Sequence, residues 1–142
     1  MTIQQLSVFV ENQPGKLAEA LEVLAKASID MRALSLADTA DFGILRLIVD
    51  KPDEALEILR DAGYLVKTNE VIPVAVGDRP GGLAPVMRLL ADAGVDVEYT
   101  YSFVAHKRDQ AYVILRVDNN EYAVKVLSGG GISLLDAEDI LA

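Results

Sequence analysis

With 142 residues, 51% of them hydrophobic, and no cysteine, the chain suits one domain or two very small ones and carries no disulfide, thiolate nucleophile or Cys-ligated metal. Its 22 acidic residues outweigh 13 basic ones for a net charge of −9, a field that repels phosphate backbones and argues against nucleic acid as a partner. The longest uncharged apolar runs, such as Val71–Gly77, are of strand length, against roughly 20 residues for a membrane-spanning helix, and Met1–Gln5 has no signal-peptide character, so a soluble cytoplasmic protein without a membrane partner is expected.

Leu6, Val8 and Val10 alternate with Ser7, Phe9 and Glu11, the period of a strand with one buried face. Pro14-Gly15 turns the chain. From Lys16 to Ser28, Leu17, Ala20, Leu21 and Leu24 recur at helical spacing, leaving Glu19, Glu22 and Lys26 to solvent. Ile29–Ala37 reads as a second strand, Asp38-Thr39-Ala40-Asp41 as a polar turn, and Phe42–Val49 as a third strand. Asp50 is a candidate cap for the next helix, and Pro52 suits its first turn, where a missing N–H has no partner to lose. Ala55, Leu56, Leu59 and Ala62 face inward, and Gly63, free to take positive φ, ends the helix. Leu65–Thr68 is predicted as a short fourth strand.

Beyond Asn69-Glu70 the order recurs, with strand Val71–Val76, helix Leu83–Ala93, strands Val95–Ala105 and Gln110–Val117, helix Glu121–Leu127 and strand Ile132–Leu135. Asp136 is a candidate cap for a terminal turn, and Gly129-Gly130-Gly131 predicts flexible chain and a loosely held last strand. The halves are copies. A shift of 66 positions lays Val8, Val10, Pro14, Gly15, Leu17 and Ala18 on Val74, Val76, Pro80, Gly81, Leu83 and Ala84, and Leu24, Ala25, Ala27 and Asp30 on Leu90, Ala91, Ala93 and Asp96. From Leu47 onward the shift is 68, so that Leu47, Val49, Asp50, Ala55, Leu59 and Gly63 match Leu115, Val117, Asp118, Ala123, Leu127 and Gly131. The two extra residues fall between Leu34 and Gly43, where a hairpin tip absorbs an insertion. The expected fold class is α+β, two βαββαβ units over 1–68 and 69–142, each with an antiparallel sheet and its helices on one face.

The run Val8-Phe9-Val10-Glu11-Asn12-Gln13-Pro14-Gly15-Lys16-Leu17 resembles the opening of an ACT domain: a strand, a short polar turn ending in Pro-Gly, and an amphipathic helix. Val74–Leu83, with Gly77-Asp78-Arg79-Pro80-Gly81-Gly82, resembles a second, and Ala27-Ser28-Ile29-Asp30 and Ala93-Gly94-Val95-Asp96 are similar to the ACT pattern entering its second strand. The resemblance covers nearly the whole chain. It implies a ferredoxin-like fold and a free-standing regulatory module that binds a small molecule, most often an L-amino acid, with neither cofactor nor catalysis. It also implies side-by-side association and control of a separate metabolic enzyme or regulator. In such domains the ligand sits between neighbouring domains, touched by the turn before the first helix and by the start of the second strand. Those positions here are Asn12, Gln13, Pro14, Gly15, Lys16 and Leu17 with Asp30 and Met31. In the second copy they are Asp78, Arg79, Pro80, Gly81, Gly82 and Leu83 with Asp96 and Val97.

The turn has a physical reason to hold a carboxylate, because it enters a helix N-terminus, where unpaired N–H groups and the helix dipole favour an anion. Gly15 and Gly81 let a ligand approach the backbone, Asn12 and Asp78 suit an amide, hydroxyl or ammonium, and Asp30 and Asp96 suit an ammonium. The plainer reading of Pro-Gly is a tight turn, and of Asn or Asp a helix cap. Gln13 against Arg79, and Arg32 against Glu98, mean that the two pockets need not take the same ligand. Tyr99 and Tyr101 are placed to cover an aromatic ligand, sheet packing being the plainer reading. His106, alone in a charged hairpin tip, reads as solvated, and no serine has an identifiable base beside it, so neither a catalytic nor a metal-binding residue is expected.

Phe9, Ile44 and Ile48, with Tyr112 and Ile114, fall on the sheet face that helices leave open, which predicts a second layer and hence a homodimer. A dimerisation or protein-interaction module without a ligand pocket shares this fold and stays the alternative. RNA binding wants a basic surface with exposed aromatics, whereas this chain is acidic with 6% aromatics. Catalysis wants convergent acid–base residues, which the pattern does not supply.

Overall fold

Alternation along Ile3–Glu11 builds β1, with Leu6, Val8 and Val10 buried beneath the helices and Glu11 exposed. The computed structural model describes residues 2–38, 41–103 and 108–141. The predicted turn residues Thr39 and Ala40, the strand end Ala105, and the hairpin residues His106 and Lys107 lie outside them. After β1 come α1 (Lys16–Lys26), β2 (Met31–Asp38), β3 (Phe42–Val49) and α2 (Pro52–Asp61). Then follow β4 (Leu65–Gly77), α3 (Ala84–Asp92), β5 (Val97–Phe103), β6 (Gln110–Val117), α4 (Asn120–Gly129), β7 (Ser133–Leu134) and α5 (Ala137–Leu141).

The chain divides into an N-terminal unit, Gln4–Asn69, and a C-terminal unit, Glu70–Ala142 with Met1–Ile3. In the first, the strand order is β2-β3-β1-β4, the antiparallel register placing Leu6 opposite Leu47 and Leu34 opposite Leu47 on the other side of β3. In the second it is β7-β4-β6-β5, with Val74 opposite Val113 and Leu134. Each unit is βαββαβ, with the two helices of that pattern packed on the sheet around the unit's own core, and α5 follows the pattern in the second. Leu6, Leu24, Leu45, Leu47 and Leu59 centre the first core, and Ile72, Leu90, Leu115 and Leu127 the second. Full burial of each such side chain contributes about 1.5–3 kcal/mol.

Several local expectations are corrected. Where two short strands were expected on either side of Asn69-Glu70, β4 runs unbroken through both residues. Ala62 does not face inward; it is exposed, just past the end of α2, while Ala55 and Leu59 are fully buried. Asp50 caps no helix, because its carboxylate accepts the Asp30 N–H and Lys51 stands at the N-cap without a side-chain bond. In the second copy Asn119 fills that place and does cap, accepting the Tyr122 N–H at 3.1 Å. The triple glycine ends α4 in order rather than in flexible chain. Gly131 takes φ +79 and the Ile132 N–H reaches back to the Leu127 carbonyl at 3.0 Å. The Asp139 carboxylate accepts the Asp136 N–H at the start of α5 (2.8 Å).

The sheet face expected to lie open is largely covered. Ile48, Tyr112 and Ile114 are 3%, 3% and 0% exposed, so they are covered within the chain and need no partner subunit. Phe9 and Ile44 remain half-buried.

Candidate functional site

The two Pro-Gly turns share one backbone plan. The Asn12 N–H donates to the Asp41 carbonyl (3.1 Å), Gln13 to Glu11 (2.9 Å) and Lys16 to Gln13 (3.2 Å). Their equivalents repeat the pattern, Asp78 to Asp109 (2.8 Å), Arg79 to Gly77 (2.9 Å) and Gly82 to Arg79 (3.1 Å). Gly15 and Gly81 stand at φ +86 and +79, a left-handed conformation that glycine adopts without strain. Half of the N–H groups that the sequence offers to an anion are thus engaged inside the turn. Those of Leu17 and Ala18, in the first turn of α1, have no backbone acceptor and stay available. The Asn12 side-chain amide is committed as well, donating to Asp38 at 2.8 Å.

The rest of the candidate set lies elsewhere in each unit. Glu11 pairs with Phe42 and Met31 with Val49, the two ends of β3, so the turn and the start of β2 are about 20 Å apart within one unit. The same holds for Gly77 opposite Gln110 and Val97 opposite Val117 on β6. Asp30 is exposed and forms an ion pair with Arg32 at 3.2 Å; Met31 and Asp96 are exposed, and Val97 is half-buried. Leu17 and Leu83 pack partly against the two cores, while Gln13, Pro14, Arg79 and Pro80 are exposed. Tyr99 and Tyr101 stack on one another, ring centroids 6.5 Å apart.

A cavity of about 470 Å³ opens in the N-terminal unit beside the first turn. Lys16 is the one candidate residue on its wall. The others there, Glu11 and Phe9 from β1, Glu19 from α1, Phe42 from β3, and Tyr64 and Leu65 after α2, escaped the sequence reading. Comparison of the copies contains a signal for them, since Glu11, Lys16, Glu19 and Tyr64 stand where the second half has Gly77, Gly82, Pro85 and Ile132. Lys16 Nζ lies 3.7 Å from Glu19 Oε2, and Lys67 Nζ stands 5.8 Å from the centre of the Phe9 ring. Burial first, and the Glu19 carboxylate second, push the Tyr64 phenol above its ordinary value, so it is a neutral hydrogen-bond donor at physiological pH.

In the C-terminal unit a second depression of about 480 Å³ is lined by Thr2, Glu70, Asn120, Glu121, Val124 and Lys125, none of them a candidate residue. Among the described residues no three acidic or histidine side chains are grouped to hold a metal ion, and no helix is long and apolar enough to cross a membrane.

A family model described as the ACT domain pair matches residues 1–142. The crystal structure of protein BT0572 from Bacteroides thetaiotaomicron is similar at 41% identity, covering 99% of this chain and 96% of that one with a TM-score of 0.92. The regulatory subunit of aspartate kinase from Thermus thermophilus, in ligand-free form, shares the fold at 21% identity over 89% of this chain and 91% of that one, TM-score 0.63. Its counterpart from Thermus flavus does so at 19% identity over 90% of each chain, TM-score 0.64. No curated protein matches the chain in sequence.

Proposed function

Because the chain belongs to the ACT domain pair family, a family of regulatory amino-acid-binding modules, we propose that it senses an L-amino acid in the cytoplasm and controls a separate metabolic enzyme or regulator, catalysing nothing itself. The observation that carries this reading is the first turn. There Gly15, at φ +86, starts α1 beside a cavity of about 470 Å³ that Lys16 lines, and the N–H groups of Leu17 and Ala18 in the first turn of α1 have no backbone acceptor. That volume is within the range of small-molecule sites, and a helix start with free N–H groups suits the carboxylate that all amino acids share. The candidate contacts are Asn12–Leu17 and Asp78–Leu83, with the second-strand starts at Asp30 and Asp96.

Association as a homodimer is part of the same proposal. Leu34 and Leu36, 47% and 50% exposed, lie on β2, the end strand of its sheet, and an apolar end strand is suited to pairing with a second copy.

A thermal-shift screen against the twenty amino acids, followed by calorimetry, tests the sensing role. One of them binds with modest affinity; at a hundred times its dissociation constant it stabilises the fold by about 2.7 kcal/mol. If none binds at millimolar concentration, the chain is an interaction module without a ligand pocket.

A further inference from the structure

The two copies of the fold differ in their side chains where the first helix of each unit starts and the second stops. In the N-terminal unit the cavity there lies between helix ends of opposite polarity. α1 begins at Lys16, and α2 stops at Asp61 with Ala62 and Gly63 on the cavity wall. Free N–H groups make the first end positive, and terminal carbonyls make the second negative. The lining side chains add charges of both signs, Lys16 against Glu11 and Glu19, and Lys67 stands over the Phe9 ring. The lining thus offers both signs of charge, one ammonium and two carboxylates. Phe42 and Leu65, 46% and 62% exposed, provide an apolar wall. The Lys16–Glu19 pair, at 3.7 Å and with side chains 38% and 60% exposed, is weak enough to yield to a ligand.

The second copy has turned the same place into packing. At the positions of Glu11, Lys16 and Glu19 stand Gly77, Gly82 and Pro85, and no charge survives. A methyl group on Gly82 would overlap the Gly77 carbonyl oxygen, and the Arg79 side chain lies along Gly77. One on Gly130, the counterpart of Ala62, would stand 2.5 Å from Leu89 Cδ1. Pro85 also removes an N–H from the first turn of α3.

We propose that the chain binds one ligand rather than two, in the cavity of the N-terminal unit, and that this ligand is a zwitterionic amino acid with an uncharged, apolar side chain. Its carboxylate meets Lys16 and the start of α1, its ammonium meets Glu19 and the end of α2, and its side chain lies on Phe42 and Leu65. The assignment rests on the amino-acid-sensing reading and gives that reading its site and ligand class.

Calorimetry on the full chain tests it, using leucine, valine, methionine, phenylalanine, glutamate and lysine, with leucinamide and N-acetylleucine as blocked forms. The expected result is one equivalent per chain, an apolar amino acid ahead of glutamate and lysine by about tenfold or more, and no binding once either end of the zwitterion is blocked. Lys16→Met and Glu19→Gln each weaken binding about tenfold, equal to about 1.4 kcal/mol. Gln110→Ala, at the position equivalent to Phe42, leaves it unchanged. Matching ligand-free melts confirm that the variants are folded. Two equivalents per chain, a preference for glutamate or lysine, or Lys16→Met and Glu19→Gln proteins that bind normally overturn the assignment while amino-acid sensing stands. Failure of all twenty amino acids to bind overturns both.

Discussion

Asp30 and Asp50 hold each other by two hydrogen bonds. The Asp50 carboxylate accepts the Asp30 N–H at 2.9 Å, and the Asp50 N–H donates to the Asp30 carbonyl at 3.0 Å. The pair ties the start of β2 to the end of β3, so a carboxylate that local sequence casts as a helix cap instead fixes where the second strand begins. Asp50→Ala removes one acceptor and destabilises the fold by about 1 kcal/mol, while Asp50→Asn, which keeps a carbonyl oxygen, recovers most of the loss. Urea midpoints measure both, and an alanine variant as stable as the parent shows that the side-chain bond contributes nothing.

Gly82→Ala and Lys16→Ala change equivalent positions with different consequences. The methyl group at 82 meets a backbone carbonyl that has no room to move, and the expected loss is about 1–3 kcal/mol. Lys16 is a half-buried helix residue in a loose ion pair, and its replacement by alanine changes stability by less than about 0.5 kcal/mol. Thermal melts that rank the two variants the other way refute this account of the turns.

Gly15→Val and Gly81→Val separate strain from recognition. A Cβ at either position has nothing within 4 Å, so the penalty comes from forcing a β-branched residue to φ +86 or +79, about 1–3 kcal/mol in each case. Both variants lose stability alike, but amino-acid binding falls only in Gly15→Val. Equal loss of binding in both would mean that the second turn takes part in recognition.

Tyr64 makes stability depend on alkaline pH. Burial chiefly, with help from Glu19 and Glu22 and opposition from Lys16, raises its phenol above the ordinary 10.0. The folded state therefore holds the proton more tightly than the unfolded chain. This contribution is fully present below pH 10 and is lost as pH rises through the folded-state value. The melting-temperature difference between parent and Tyr64→Phe is flat from about pH 7 to 9 and moves against the parent above about pH 10. Parallel curves throughout that range would leave the phenol without a role.

The homodimer is tested by light scattering over about a hundredfold range of concentration, since association follows mass action. The parent gives twice the chain mass, and Leu34→Glu combined with Leu36→Glu gives the monomer. A parent that stays monomeric throughout counts against the dimer.

Much of the fold was legible along the chain because it is written in local periods. Alternation at Leu6, Val8 and Val10 defines a strand face, helical spacing at Ala20 and Leu24 a helix face, and Pro14-Gly15 and Pro80-Gly81 mark the same turn in two copies. These signals act between near neighbours, so the sequence by itself determined two βαββαβ units and the turns that open their helices. It did not determine that the strand through Asn69 would run on unbroken, which hydrogen bond Asp50 would make, or that Ile48, Tyr112 and Ile114 would be covered. Alternation states which way a side chain points and not what lies over it. The cavity belongs to the same class. Phe9, Lys16, Phe42 and Tyr64 are far apart in sequence and meet only once β1 has paired with β3 and α2 has ended beside the start of α1. Which charges face one another there was decided by tertiary packing, because the interactions concerned act across space between segments that no local pattern links.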